Sequence, residues 1–569
     1  MKVSVSKSKN TTIYYLSKSV RIDGRVTTKT IEKIGSYEEI KKICGDMDPL
    51  EWAKQYAAKR TREEKESKSD TLIRFSSSAR IEKGSRRSAN VGYFFPKDIY
   101  YSLGLDRICA ALSDKYRFEF DLNDILSMLI YTRILFPGSK RASLSDAGDL
   151  LEPPACSLHQ VYRALEVLAK ENDYIQAQLY KNSEETVTRD HGVLYYDCTN
   201  YYFEIEEEDA FRKYGHSKEH RPNPVVQMGL FMDADGIPLS FSLFPGNESE
   251  QPSMNPLEKK ILSDFGLRRF IVCTDAGLSS TQNRRFNDTR SRKFVTTQSL
   301  KKMKGHLQDF CLAEDGWRLE GSQKTYTIPQ INAMEDHDLT FYKDRWICED
   351  GLEQHLIVTY SVKYRDYQRC IRDAQVERAA KLAGKPSSLH KKAPNDPRRF
   401  IREDHCTPDG EIAETSRAFI DEDIVREEER YDGFYAVCTN LEDDIPSIIR
   451  INKKRWEIEE CFRIMKSEMK ARPVFLSRRD RITAHFITCF IALIIYRLLE
   501  KRLGERFTAE KLIRTLRDMN MLIVPGDGYI PVYTRTEITD ALHDAFGFRT
   551  DYEIVSQRNM KKILTKTRK

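Results

Sequence analysis

The sequence predicts a mixed α/β protein whose central sheet is interrupted by a long insertion. Three observations predict it. The apolar period changes from 3.6 to 2 near His191. From 192 to 277 the segments follow the order strand, two-stranded hairpin, helix, strand. A further strand, YDGFYAVCTN (431–440), then returns only after a long irregular stretch. With 569 residues, the chain has room for about three or four domains.

The first element is TIYYLSKSVRIDGRVTTKTIEKIG (12–35), which alternates and is rich in β-branched residues, with Asp23-Gly24 as its hairpin turn. From Met1 to Arg62 there are 14 Lys and Arg against 7 Asp and Glu, a net +7. Residues 1–62 are therefore expected to be a basic, β-rich DNA-binding region, because such a hairpin can grip phosphates. A solvated hairpin that binds nothing fits the same residues. A linker is expected over 63–96, opening with the polar run TREEKESKSD (61–70).

Residues 97–190 have helical patterning. SLHQVYRALEVLA (157–169) carries Ser157 and Gln160 at capping-box spacing. With the preceding GSKRASLSDAGDLLEPPACS it forms either an ordinary packed pair of helices, the favoured reading, or a DNA-binding helix-turn-helix.

The first part of the core is expected at 191–300. GVLYYDCTNYYFEI (192–205) is a strand that contains Asp197. VVQMGLFMDADGIPLSFSLFPG (225–246) is two strands joined by a turn at 233–236. NPLEKKILSDFG (255–266) is a short helix stopped by Gly266, and RFIVCTDAG (269–277) is a strand ending on Asp275. Three antiparallel strands, a crossover helix and a parallel strand make an RNase H-like order. An insertion over 301–430 is expected to be mostly β, with strands at 339–349 and 354–362, one charged helix at 364–384, and the loop KPSSLHKKAPNDPRR. The core resumes at 431–505 with the strand 431–440, the helix RWEIEECFRIMKSEMKARP (455–473) and an apolar helix at 482–502. Residues 506–569 form a C-terminal region ending in RNMKKILTKTRK, six basic side chains without an acid, expected to be a mobile tail.

Net charge is only +6 with 32% charged residues, so the distribution of charge matters more than its sum. The twelve cysteines show no CxxC pair, which predicts reduced thiols and no zinc site. The N-terminus has no apolar leader, and the longest apolar run, FITCFIALIIY (486–496), is shorter than the ~20 residues of a membrane span. A soluble, cytoplasmic, nucleoid-associated protein with no membrane partner is expected.

Phosphodiester chemistry uses divalent cations held by oxygen ligands. Asp197 and Asp275 both follow apolar strand residues, and in a sheet of this order their strands can be neighbours. Taken alone, an Asp at a strand end is more often only a turn residue or a cap. At helical spacing, Ile451, just ahead of the helix 455–473, lines one apolar stripe with Ile458, Phe462, Met465 and Met469. Glu460 and Glu468 then fall on the solvent side, and Glu457 flanks the stripe with no cation on its own edge. Glu459 flanks the other edge beside Arg455, Arg463 and Lys466. It is either a working carboxylate or one rung of a surface ion-pair ladder.

These segments resemble the DDE transposases of bacterial insertion sequences, in particular the subgroup with a β insertion before the third carboxylate and a Y-x2-R-x3-E-x6-K helix. NKKRWEIEECFRIMK places Arg455, Glu459 and Lys466 at that spacing, with Asn452 where the family usually has Tyr. YYDCTN matches the D-x-T segment at Asp197 and Thr199, and VCTDAGLSS matches the second acidic segment at Asp275. The segment GHSKEHRPNPVVQMGLFMDADGIPLSFSLFPGNESE, with Lys218, resembles the stretch between the aspartates, and RPVFLSRRDRITAHF resembles the stretch after the glutamate helix. The resemblance implies metal-dependent cleavage at transposon ends and transfer of the 3′-OH into target DNA. Asp197, Asp275 and Glu459 would be the catalytic residues and the ligands of two Mg2+ ions, with Mn2+ able to substitute. Arg455, Lys466, Arg463, Asn452, Thr199 and Lys218 would bind DNA. Double-stranded DNA, as terminal inverted repeats and target, is the implied partner of a homo-oligomer. The alternatives are a nuclease of the same fold without strand transfer, and a non-catalytic DNA-binding derivative.

Overall fold

The structure is a computed structural model, and it describes the chain apart from residues 9–10, 23–24, 46, 68–72, 74–75, 385–394, 407–411 and 569. Two compact units are present. One comprises Met1–Arg87, Leu522–Pro531 and Asp551–Met560, and the other Ser88–Met521, Val532–Thr550 and Lys561–Lys569.

In the first unit β1 (Lys2–Lys7), β2 (Thr12–Ile22) and β3 (Arg25–Ser36) form an antiparallel sheet. The expected Asp23-Gly24 turn lies outside the described residues, but its flanking strands pair up to Ile22 opposite Arg25. Ser36 and Glu39 form a capping box that starts the helix Tyr37–Cys44. Tyr14, Ile40 and Ala53 are its small core. The helix Pro49–Ser67 runs into the start of the stretch expected to be linker, 63–96, and takes in most of the polar run TREEKESKSD. Arg, Glu and Lys are strong helix formers, and a polar composition alone does not end a helix.

The second unit opens with β4 (Ser88–Asn90) and six helices, Phe94–Ser102, Leu105–Tyr116, Leu122–Leu135, Lys140–Asp146, Leu158–Lys170 and Asn172–Thr186. Ser157 and Gln160 make the reciprocal capping bonds their spacing predicts. The large sheet then follows. Its strands are β5 (Val193–Tyr202), β6 (Val225–Met232), β7 (Pro238–Pro245), β8 (Phe270–Thr274), β9 (Arg292–Gln298), β10 (Trp317–Leu319), β11 (Thr325–Tyr326), β12 (Phe341–Glu349) and β13 (Leu352–Tyr360). After a separate pair, β14 (Ile401–Cys406) with β15 (Ile412–Ile420), the strand β16 (Phe434–Thr439) completes it. The order is β11-β10-β12-β13-β16-β9-β8-β5-β6-β7. β5 pairs antiparallel with β6 and parallel with β8, and β8 pairs parallel with β9. β5 thus sits inside the sheet and is buried along its whole length.

The segment 301–430 differs from the expected mostly β insertion. Its strands β10 to β13 extend the main sheet instead of forming a separate one. Besides the expected charged helix, which is Val362–Ala383, it holds the helices Gly305–Leu312, Ile328–Asn332 and Glu422–Glu429. Of the expected loop KPSSLHKKAPNDPRR, residues 385–394 lie outside the described residues. At the C-terminus the expected mobile tail is instead the helix Gln557–Lys566, with Met560 and Ile563 buried. Those two apolar positions, three apart, share a helical face among the lysines.

The apolar helix is longer than its run of apolar letters, Arg479–Arg502. By length and composition it could cross a membrane, yet 94% of its most apolar window is buried inside the protein. It packs on the helices Leu158–Lys170 and Leu122–Leu135 and on β7.

A buried ion pair fixes the hairpin end near β5. The Arg189 Nε donates to Asp233 Oδ2 at 2.6 Å, and its Nη2 donates to the carbonyls of Ile237 and Pro238. Both side chains are essentially inaccessible. Arg189→Ala leaves the Asp233 charge buried without its partner, which costs about 3–5 kcal/mol. A lowered denaturant midpoint with unchanged slope is the expected result.

Candidate active site

Successive side chains on a strand take opposite faces of the sheet. Tyr195, Asp197, Thr199 and Tyr201 of β5 share one face. The Tyr195 hydroxyl donates to the Ile451 carbonyl at 3.0 Å, and the Tyr201 hydroxyl meets Met465 Sδ at 3.6 Å. Both partners belong to the glutamate-bearing segment, which therefore covers the face that carries Asp197. Tyr196 takes the other face, its hydroxyl 2.6 Å from Ser253 Oγ.

Asp197 and Asp275 stand side by side. In the parallel register of β5 and β8, Tyr196 is opposite Thr274, and each aspartate is the next residue. Asp197 is 8% exposed and its Oδ1 accepts the Cys198 N–H at 2.7 Å. Asp275 is half-buried and its Oδ1 accepts the Leu278 N–H at 3.0 Å, capping a short turn. It is thus a cap as well as a neighbour of Asp197. Burial pushes the Asp197 carboxyl up to about 6, with Lys218 opposing the shift and Asp275 adding to it.

Lys218 reaches this pair from the loop before β6. Its ammonium donates to the Cys198 carbonyl and lies 3.6 Å from Glu250 Oε1. Burial pulls its pKa down, but Asp197 and Glu250 outweigh burial and hold it above the ordinary lysine value. Thr199 is buried two residues along the same face.

The segment 455–473 predicted as one helix is the helix Trp456–Arg463 and a π-helical turn Ile464–Glu468, and a separate helix, Ile445–Lys453, precedes it. The junction is drawn tight by i to i+3 bonds, Arg455 N–H to the Asn452 carbonyl and Glu457 N–H to the Lys454 carbonyl, both near 3.1–3.2 Å. Ile458, Phe462, Met465 and Met469 are buried as the stripe predicts, and Ile451 is half-buried.

The four glutamates differ. Glu457 takes its cationic partner from another helix: its Oε2 lies 3.2 Å from Arg497 Nη2 on the helix Arg479–Arg502. One helix cannot reveal a cation supplied by another. Gly236, at φ +74°, closes the β6–β7 turn against this pair, and a Cβ there would collide with both side chains. Glu460 is half-buried and receives the Arg463 guanidinium, Nε at 2.7 Å, so it is not simply solvated. Glu468 is half-buried. Glu459 is 57% exposed and pairs with Arg455 Nη1 at 3.1 Å.

Arg455 links the carboxylates. Burial pulls its pKa down, but Tyr435, Glu459, Asp197 and Asp275 together raise it above its ordinary value. Its Nε is buried without a hydrogen-bond partner. Glu459 is thus paired with this guanidinium, while Asp197 and Asp275 act on it only through their charge. Among the described residues no three His, Cys, Asp or Glu side chains converge closely enough to hold a metal ion. Asp197 and Asp275 are adjacent, while Glu459 turns to Arg455.

The remaining sequence-derived residues are dispersed. Lys466 lies half-buried 3.4 Å from Glu219 Oε1, which also takes Arg472 Nε at 2.8 Å. Arg463 is exposed on Glu460. Asn452 is buried and donates through Nδ2 to the Tyr435 hydroxyl at 3.2 Å.

Beside Arg455 and Glu459 opens a cavity of about 620 Å³. Its walls include Tyr364, Tyr367, Tyr435 and Trp456, with Lys363 and Lys453 among them. Trp456 is 60% exposed. These aromatics are not among the residues that the sequence motifs single out. The adjacency of Trp456 to Arg455 is visible in the sequence, but nothing there brings residues 364–367 beside it.

Residues 188–495, more than half of the chain, match the family model described as "Transposase DDE domain". No curated protein matches. Among solved structures, the piggyBac transposase synaptic complex with hairpin DNA, determined by cryo-EM, is similar at 9% identity and a TM-score of 0.36, covering 85% of this chain and 88% of that one. A likeness that low carries no weight here. The two aspartates on neighbouring parallel strands, the glutamate helix over them and the matched region all fall within 188–495, and the chain belongs to the DDE transposase family.

Proposed function

We propose that the protein is the transposase of an insertion sequence, cleaving DNA at the element's ends and joining the freed 3′-OH to target DNA. The observation that supports this most is the placement of Asp197 and Asp275 at register-adjacent positions on parallel strands, with Arg455 coupled to both and to Glu459. The order β7-β6-β5-β8-β9, antiparallel then parallel, supports an RNase H-like core.

The family generally works with divalent metal ions. Two adjacent carboxylates, one of them buried and held at about 6 by burial, suit a hard divalent cation. Asp197 and Asp275 would hold Mg2+, with Glu459 as the third ligand of a two-ion site and Mn2+ as a substitute. A bound pair would stabilise the attacking and leaving oxygens of phosphoryl transfer.

The chain's own residues do the rest. Without DNA, Arg455 pairs with Glu459, and its charge also acts on the aspartates. Its unpartnered Nε suits a DNA phosphate, and a phosphate taking the guanidinium frees the Glu459 carboxylate. Lys218 is a second cation whose charge acts on both aspartates. The aromatic walls beside Glu459 suit nucleotide bases, because every base offers a π-face. Trp456→Ala is expected to weaken binding of a duplex end with unpaired bases by about 1–3 kcal/mol, measured by fluorescence anisotropy. Equal weakening on a fully paired duplex would refute a stacking role.

We place the protein as a homo-oligomer on double-stranded DNA at the nucleoid. The reading is tested with a duplex carrying the DNA that flanks the reading frame and a supercoiled target. Metal-dependent nicking followed by joined product supports a transposase. Nicking without joining makes the protein a nuclease, and binding without nicking makes it a non-catalytic DNA-binding protein.

A further inference from the structure

A second cationic site lies away from the carboxylates, in the segment GSKR that follows the helix Leu122–Leu135. A pocket of about 160 Å³ is lined there by Arg133, Lys140, Arg141, Lys470, Arg472 and His485, and among the described residues no carboxylate lines it. At the ~30 Å³ that each water occupies in the liquid, this is room for a small oxyanion and not for a nucleotide.

The side chain that matters is Lys140. It is 4% exposed, and its Nζ is buried without a hydrogen-bond partner. A buried ammonium with no partner costs several kcal/mol, which an anion seated against it would offset. Burial, with Arg133 beside it, pulls the Lys140 pKa down to about 7. His485 is held neutral by burial. Arg133 is committed to structure, since its Nη1 donates to the Met469 carbonyl at 3.1 Å and its Nη2 to the Gly138 carbonyl at 3.0 Å. Arg472 is paired with Glu219. Lys140 is thus the buried cation of this lining that has no partner, with the exposed Arg141 and Lys470 among the other walls.

Two features favour a macromolecular phosphate over a free ion. One wall is the chain that leaves the glutamate helix, at Lys470 and Arg472. Glu219 joins Arg472 to Lys466 on that helix through ion pairs of 2.8 and 3.4 Å, so the pocket is one ion pair from the glutamate segment.

We propose that this pocket receives a backbone phosphate of DNA already engaged at the carboxylates, with Lys140 as its ligand and Arg141 and Lys470 at its rim. This rests on the DNA-cleaving function proposed above.

The test compares the full-length protein with Lys140→Met and Lys140→Arg. Duplex affinity is measured by fluorescence anisotropy across a salt series, inorganic phosphate binding by calorimetry, and unfolding by a thermal scan. Lys140→Met is expected to bind the duplex roughly tenfold more weakly, with a salt slope smaller by about one, and to unfold no earlier than wild type. Lys140→Arg is expected to retain the affinity. Wild-type affinity and slope in Lys140→Met would overturn the proposal. So would loss of inorganic phosphate binding with duplex binding unchanged, which would mark a small-anion site. If wild type binds duplex but never nicks it, the function proposed above fails while the Lys140 result still decides this one.

Discussion

Asp197→Asn is expected to abolish DNA cleavage and, at the same time, to stabilise the metal-free protein at neutral pH. On the function proposed above, the first effect follows from removing a ligand of the divalent cations that would carry the phosphoryl transfer, a loss on the order of 10³-fold or more. The second follows from burial. The Asp197 carboxyl is raised from 3.8 to about 6, and about two pKa units correspond to ~3 kcal/mol. A carboxyl whose folded value is raised contributes stability that is full below its unfolded value and is lost as pH rises through its folded value. Ionised Asp197 is therefore a cost at pH 7.5, and the neutral amide removes it. The expected gain is about 2–3 kcal/mol at pH 7.5, falling to about zero at pH 4. Denaturant unfolding at the two pH values, in the presence of a chelator, checks it. Equal stability changes at both would show that the carboxyl is not raised, and undiminished cleavage would remove Asp197 from the site.

Arg455→Ala is expected to act in two opposite directions. DNA binding weakens by roughly tenfold and the salt slope falls by about one, because a phosphate contact is lost. Binding of Mn2+ to the DNA-free protein strengthens, because Glu459 loses the guanidinium 3.1 Å away and the aspartates lose a neutralising charge. Arg455→Lys keeps the charge but not the planar fork, and should restore the salt slope more fully than the affinity. Calorimetry with Mn2+ and anisotropy with duplex separate these effects. Weaker Mn2+ binding in Arg455→Ala would mean that the arginine organises the carboxylates rather than competing for them.

Much of the site was legible because it is local. The strand at 192–205, the strand ending on Asp275 and the order of elements between them follow from alternation, turn residues and period. The parallel neighbourhood of β5 and β8 then brings Asp197 to Asp275. The apolar stripe of the glutamate helix separates Glu459 from its neighbours by angle alone.

The features that stayed hidden are tertiary. Glu457 looked unpartnered because Arg497 lies forty residues along the chain. Lys466 sits on the predicted cationic edge, yet Glu219 from a distant loop claims it. The break at Arg455 depends on carbonyl bonds that no letter in RWEIEECFRIMK announces. The cavity beside Glu459 gathers residues 364–367, 435 and 456 from three elements. The insertion reads as mostly β because its two strongest strands dominate the pattern; its long charged helix is legible, whereas Gly305–Leu312, Ile328–Asn332 and Glu422–Glu429 have eight residues or fewer, too few to set a helical period.

The most direct measurement is a single-turnover reaction on a preformed complex of the full chain with a duplex bearing one element end, started by adding Mg2+. Wild type is expected to nick the end and join its 3′-OH to target. Glu459→Gln is expected to bind the duplex comparably and yield neither product. Joined product from Glu459→Gln at the wild-type rate would contradict the assignment of Asp197, Asp275 and Glu459 as one catalytic site.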